Sequence, residues 1–386
     1  MSEQIAESEH RVTPLELFFD LVFVFAFTQV TTLLLENATW PGLGRGLLVL
    51  AVLWWAWASY AWLTNTVDVD SGLALAVLLV AAAAMFVAAL AVPEAFGGHR
   101  YVFAVAFLIV LVMFLGLYAL AGRAEPDLLA AVLRTARTTI LGGALIIAAA
   151  FVHSGLRPAL WLAALAVAFF GPALAGVRGW RVHPAHFAER HGLILIIAIG
   201  EALVAIGLGA RNTGLGGGVI LAAVLGLVVA ASFWLAYFDF FSAGVQRLLT
   251  DSRGERRVAL ARDVYTYLHL PMVAGIVLFA FAMRTTLAHV GGELHLIPAV
   301  ALCGGSALYL LAYVALRWRV SRSLSRGRFV ASLGFAALVP VAVVVPALAT
   351  IALVAAVWVA LHAYELIWWR EERARRRADR TSAATA

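Results

Sequence analysis

The chain is 386 residues long, 63% hydrophobic and only 13% charged, with a mean hydropathy of +0.94. Soluble domains carry about 25% charged residues, so this composition excludes a water-soluble enzyme and predicts a polytopic membrane protein. The net charge of +6 comes from 28 arginines and no lysine, and the lone cysteine, Cys303, leaves neither an intramolecular disulfide nor a multi-cysteine metal site.

The opening MSEQIAESEH is acidic and no small-residue cleavage pattern follows it, so the first apolar stretch is expected to stay in the protein. That stretch, Glu16 to Leu35, is long enough to cross a bilayer yet carries two carboxylates. Ionised groups are expensive in hydrocarbon, so Glu16 and Asp20 must face protein or water. At helical periodicity Glu16, Asp20, Phe23, Phe27 and Thr31 share one stripe, which is predicted to point into a bundle. Further spans are expected at about 45–64, 72–92, 101–121, 137–153, 158–176, 191–209, 217–242, 265–284, 295–316, 328–344 and 346–366. The fold class is therefore an all-α transmembrane bundle of about 12 spans. Ser242 to Arg262 reads as its longest loop, and neither that loop nor SRSLSRGR at 321–328 calls for a partner.

Arginine tests the count, because cytoplasmic loops are enriched in it. The N-terminus, the loops after even-numbered spans and the C-terminal tail hold 23 of the 28 arginines. Both termini are thus expected in the cytoplasm. Arg134 and Arg137, at the start of the fifth span, are expected to pair with acids. The tail from residue 367 to 386, rich in arginine between Arg370 and Arg377, suits anionic lipid beside the bilayer. Nucleic acid is a poor partner for a cluster abutting a membrane exit, and a homo-oligomer is compatible with the sequence.

Internal similarity suggests two parallel six-helix repeats, 14–176 and 184–366. Trp57-Ala58-Ser59-Tyr60 in the second span matches Trp234-Leu235-Ala236-Tyr237 in the eighth. Phe114 to Leu120 in the fourth resembles Tyr309 to Ala315 in the tenth, and spans one and seven each begin with an acid and carry another inside, Asp20 and Glu201.

Two motifs carry a family resemblance. Thr13-Pro14-Leu15-Glu16-Leu17-Phe18-Phe19-Asp20-Leu21-Val22-Phe23-Val24 closely resembles the opening signature of the low temperature requirement protein A family. His186-Phe187-Ala188-Glu189-Arg190-His191-Gly192, followed by Gly200-Glu201, looks like that family's mid-chain signature. The resemblance implies a polytopic bacterial membrane protein and little chemistry. Phe18-Phe19-Asp20 also looks somewhat like the Phe-Ser-Asp first helix of lysosomal and bacterial potassium channels that are also six plus six, departing from it at Phe19.

The candidate site residues are the polar groups at membrane depth. Asp20, Glu201, Glu16 and Asp239, with the aromatic residues Trp57, Tyr60, Trp234 and Tyr237, are read as lining a central path for a cation or proton, since a carboxylate binds cations and exchanges protons. Their alternative role is to hydrogen-bond helices together, and Glu16, two residues after Pro14, suits a helix cap. His183, His186, Glu189 and His191 form an array of metal-ligand types that lacks a zinc-protease spacing. No metal is assigned to it; Glu189 and Arg190 read as a helix anchor at the interface and His191 as a packed residue. Glycines at 142, 143, 200, 207, 209, 304 and 305 suggest close helix contacts. No cofactor is implied, and no phosphate loop supports an ATP-driven pump. The sequence thus predicts a cation- or proton-linked channel or secondary transporter for an unnamed ion or solute, with an intramembrane enzyme on lipid or a non-transporting factor for cold and stress adaptation as alternatives.

Overall fold

The computed structural model describes residues 11–385 except 68, 70, 71, 124, 240 and 241, and among the described residues it is helical throughout, without strands. In chain order the helices are α1 (Pro14–Glu36), α2 (Trp40–Thr64), α3 (Gly72–Leu90), α4 (Arg100–Gly122), α5 (Pro126–Phe151), α6 (Arg157–Ala175) and α7 (Pro184–Thr213). They continue with α8 (Gly217–Phe238), α9 (Ser242–Asp251), α10 (Gly254–Leu260), α11 (His269–Ala288), α12 (Leu296–Ser321), α13 (Arg326–Ala342) and α14 (Ala347–Thr385). A π-helical turn, Ala261–Tyr267, joins α10 to α11, so Gly254–Ala288 runs as one long crossing.

Eleven stretches are long and apolar enough to cross a membrane among the described residues. The remaining expected span is α13, whose 17 residues rise about 26 Å, close to the bilayer's hydrocarbon thickness. Helix starts follow local chemistry. α1, α2, α5, α6 and α7 each place a proline in the first two positions, where its missing N–H removes no intrahelical bond. α1 adds a capping box: the Thr13 hydroxyl accepts from the Glu16 N–H at 3.3 Å, and the Glu16 carboxylate accepts from the Thr13 N–H at 3.0 Å.

Three expectations need correction. Residues 242–262 are not a loop: α9 buries Val245 and Leu249, one turn apart, and α10 follows after a short break, because an apolar stripe at helical spacing was present in a charged segment. α5 begins at Pro126, well before 137, since its amphipathic first turns tolerate arginine at the bundle end. Finally, Gly200 and Gly207 have open space where a side chain would stand, so they do not mediate close packing.

Helix α11 is the centre of the bundle, with Met272 to Met283 buried without interruption against α7 and α12. Its closest contact is reciprocal: a Cβ on Gly275 would lie 2.5 Å from the Gly305 carbonyl oxygen, and one on Gly305 would lie 2.7 Å from that of Gly275. The two backbones touch there, as small residues allow in membrane helices. α1 packs on α2, α3, α7 and α11, which brings its Glu16–Thr31 stripe wholly inside as expected. This seam positions the candidate site.

Candidate functional site

The site grows from two helix starts at the same end of the bundle. α1 presents Glu16 and Asp20 one turn apart, and α7 presents His186 and Arg190 one turn apart, so the two stripes face each other across the seam. Arg190, 0% exposed, forks between the acids: Nη1 donates to Glu16 Oε1 at 2.9 Å and Nη2 to Asp20 Oδ1 at 3.0 Å. Arg190 Nη1 also donates to the Thr64 hydroxyl of α2. Planar geometry suits arginine to this task, where lysine would offer a single point charge.

The remaining lone pairs are filled from neighbouring helices. Trp57 Nε1 donates to Asp20 Oδ1 at 2.7 Å, and His186 Nε2 meets Glu16 Oε2 at 2.9 Å. Behind His186, Asn65 Nδ2 lies 3.0 Å from its Nδ1, while the same amide donates to the His183 carbonyl and accepts from the His183 N–H. The cluster is therefore a satisfied ionic network locking α1, α2 and α7, with two carboxylates against one guanidinium and an imidazole. Buried charges demand such completeness.

Deeper along the same seam sits Glu201 of α7, 1% exposed, whose carboxylate accepts from the Thr28 hydroxyl of α1. Thr31 of α1 and Arg284 of α11 are close enough to act on it, but no cationic nitrogen comes within 4.0 Å among the described residues. Each acid thus reaches into the other half of the chain: Asp20 to Arg190, Glu201 to Thr28. They differ in what answers them. Asp20 has a full set of partners, whereas Glu201 has a neutral hydroxyl.

The chain matches the family model of bacterial low temperature requirement A protein over residues 11–363. It belongs to that family. The match takes in every residue of the seam, including Glu16, Asp20, Arg190 and Glu201. A protein of Rhizobium meliloti (strain 1021), described as uncharacterized, is 28% identical over 334 residues, covering 80% of this chain and 78% of its own length. No solved structure matches the chain.

Other expected site residues of this family member fall elsewhere. Tyr60 is buried and donates to the Val110 carbonyl at 2.8 Å; its own carbonyl lies 3.5 Å from Arg190 Nη1. Tyr237 is buried with its hydroxyl 3.0 Å from His269 Nε2, on the far side of His191 from the ionic cluster. Trp234 is 45% exposed on the outer surface and Asp239 is an exposed helix terminus, so the structure does not bring either into the polar seam. Glu189 is exposed and accepts from the Val12 N–H at 3.4 Å. His191 packs in the bundle as expected, ringed by Trp57, Phe187 and Tyr265, with Nδ1 2.8 Å from the Phe187 carbonyl. The His183 to His191 array therefore points in several directions, and no group of three His, Cys, Asp or Glu converges among the described residues.

Arg190 reverses an expectation. Read as an interface anchor, it is the buried hub, because the acids one helix away supply the countercharge that its neighbours in sequence do not. Arg134 also differs: it donates to the Arg178 carbonyl rather than to an acid. Arg328 was missed altogether. Taken for part of a basic loop, it is 1% exposed in α13, donates from Nε to Glu365 Oε1 at 2.6 Å and from Nη1 to the Ala236 carbonyl at 3.0 Å, and lies 3.6 Å over the Tyr313 ring. Glu365, an acid near the end of the last apolar run, was the available signal. The arginines of the tail have side chains outside the described residues.

Proposed function

We propose that this low temperature requirement A family member is a secondary transporter or channel linked to protons or cations, with Glu201 as the exchanging group. One observation carries the reading: Glu201 is buried where α7 meets α1 with no cationic nitrogen within 4.0 Å among the described residues, while Asp20 and Glu16 are both ion-paired to Arg190. A lone charge at such depth is expensive, so this carboxyl must hold either a proton or an accompanying cation. Its neutral hydroxyl surroundings suit both states, since Thr28 donates to the carboxylate and can rotate to accept from the acid.

The paired acids take the complementary role of a clasp. We place the clasp end of the bundle, the 64–72, 175–184 and 321–326 connections and both termini in the cytoplasm on the arginine bias, in a bacterial inner membrane. The two-repeat reading, 14–176 and 184–366, draws support from a shared tie. Tyr60 of α2 bonds a carbonyl of α4, and Tyr309 of α12 bonds the Phe233 carbonyl of α8, so both aligned helix pairs are joined by a tyrosine, given by α2 in the first half and by α12, the counterpart of α4, in the second. The enzyme alternative calls for acids and histidines beside a lipid-open cleft, and the ionic cluster is instead enclosed.

The test is proton and monovalent-cation flux in proteoliposomes. Wild type is expected to carry a flux that Glu201→Gln abolishes while accumulating normally in the membrane. Full flux in Glu201→Gln would refute the assignment; no flux in wild type would remove the transport reading and leave the acids as packing groups.

A further inference from the structure

The ionic cluster lies on one face of α2. The opposite face, Trp55, Ala58, Ser59 and Trp62, lines a half-open recess with a cavity of about 90 Å³, bounded by α4, α5, α6 and the π-helical turn. Six aromatic rings wall it: Trp55, Trp62, Phe114, Tyr118, Trp180 and Tyr267. Concave sites with apolar, aromatic walls and a few fixed polar groups are the usual form of a small-molecule site. π-Helical turns recur at such sites, because the widened turn re-aims side chains.

The polar groups settle what chemistry fits. Lining hydroxyls are spent on their own helices: Ser59 donates to the Trp55 carbonyl at 2.8 Å, Thr135 to Ala131 at 2.7 Å and Thr139 to Thr135 at 3.0 Å. Tyr267 is spent on the Phe169 carbonyl, and Thr266 accepts from Trp62 Nε1. Two donors remain. Tyr118, 1% exposed, has a hydroxyl with no hydrogen-bond partner among the described residues; the Thr66 hydroxyl near it donates to carbonyls of α2. Arg262 of the π turn shares the Asp263 carboxylate with Arg319, at 2.8 Å each, which leaves one positive charge in excess. No carboxylate or imidazole lines the recess.

We infer that this recess binds an amphipathic anion with a flat apolar body, its ring against the aromatic wall and its acidic group answered by Arg262. Flat walls favour a ring over a flexible acyl chain, because stacked aromatic pairs gain beyond area burial. A membrane-soluble aromatic carboxylate has this chemistry; the acidic headgroup of a lipid shares the anion but not the ring. The inference stands independently of Glu201 and of the transport reading.

Calorimetric titration of the full chain in phosphatidylcholine nanodiscs, corrected with empty discs, tests it with 2-naphthoate and its neutral isostere 2-naphthamide. Wild type is expected to bind the acid about 10-fold more tightly than the amide, the size of one charge-assisted contact. Arg262→Gln is expected to erase that preference, and Ala136→Phe, which fills the recess, to weaken both ligands about 10-fold or more. The comparison of acid with amide in wild type requires no variant, so it tests the charge claim even if a variant fails to accumulate. Repeating the titration with phosphatidylglycerol in the discs separates the sources. Displacement of naphthoate would overturn the flat-ring assignment in favour of an acidic lipid headgroup, and undiminished binding supports a free aromatic acid. Equal affinity for acid and amide, binding unaffected by Ala136→Phe, or no binding of either ligand would overturn the inference.

Discussion

Replacing Arg190 by leucine keeps a helix-forming, apolar side chain in α7 but removes the only guanidinium between Glu16 and Asp20. The structure sets the scale. Both acids are essentially unexposed, Arg190 reaches them at 2.9 and 3.0 Å, and Trp57, His186, Thr64 and the Thr13 N–H would stay in place around them. Breaking a buried pair by removing one partner costs about 3–5 kcal/mol, because the other charge is stranded. For a chain of 386 residues unfolding as one unit, the entropy of unfolding converts this to a fall of about 4–6 °C in melting temperature. Arg190→Lys is expected to lose about half as much, since an ammonium keeps the charge and forfeits the fork. The decisive variant is the triple Glu16→Gln, Asp20→Asn, Arg190→Leu, which removes the stranded charges and should recover most of the loss. Melting of detergent-solubilised protein, followed by size-exclusion of a fluorescent fusion, reads all of these. If Arg190→Leu melts with wild type, or if the triple variant is less stable than Arg190→Leu alone, the clasp argument fails.

Removing the hydroxyl that serves Glu201, by Thr28→Val, is expected to cost about 1–3 kcal/mol, the price of an unsatisfied buried acceptor; adding Glu201→Met should restore stability, and a melting curve of the pair checks both. Gly275→Leu would press a side chain into the α12 backbone and is expected to prevent accumulation in the membrane, whereas Gly207→Leu, at an open position, should accumulate like wild type on a membrane immunoblot. Glu365→Gln strands Arg328 and is expected to destabilise by about 3 kcal/mol, partly offset by the Tyr313 ring beneath the guanidinium; thermal melting against Arg328→Met, Glu365→Gln tests it. A fluorescent reporter fused after Ala386 is expected to fold in the cytoplasm, and activity of a phosphatase fused at the same position instead would invert the proposed orientation.

Much of this architecture was legible because a bilayer makes the code simple. Apolar run length located the helices, and a stripe through Glu16, Asp20, Phe23, Phe27 and Thr31 announced which face of α1 turns inward. What stayed hidden depended on partners distant in sequence. Arg190 and Arg328 look like interface arginines until Glu16, Asp20 and Glu365 arrive from other helices, and only the fold reveals that. Trp234 repeats the sequence surroundings of Trp57 but lies on the outer surface, since similar local residues can face different neighbours. Gly275 carries no local mark that distinguishes it from Gly207. The recess was illegible for the same reason: its aromatic walls come from four separate segments, and the π turn has no signature in ARDVYTY that hydropathy reads.

Helix α2 stands between the clasp and the recess, with Trp57, Tyr60 and Thr64 turned one way and Trp55, Ser59 and Trp62 the other. A helix cannot rotate one of its faces while holding the other still. Any occupant that turns α2 by displacing Trp62 from Thr266 must therefore also shift Thr64 against Arg190, and the work done at one face appears at the other. By reciprocity, an altered clasp changes the occupant's affinity by the same factor that the occupant changes the clasp. A measured affinity in the recess would then serve as a gauge of whether α1 and α7 are locked together.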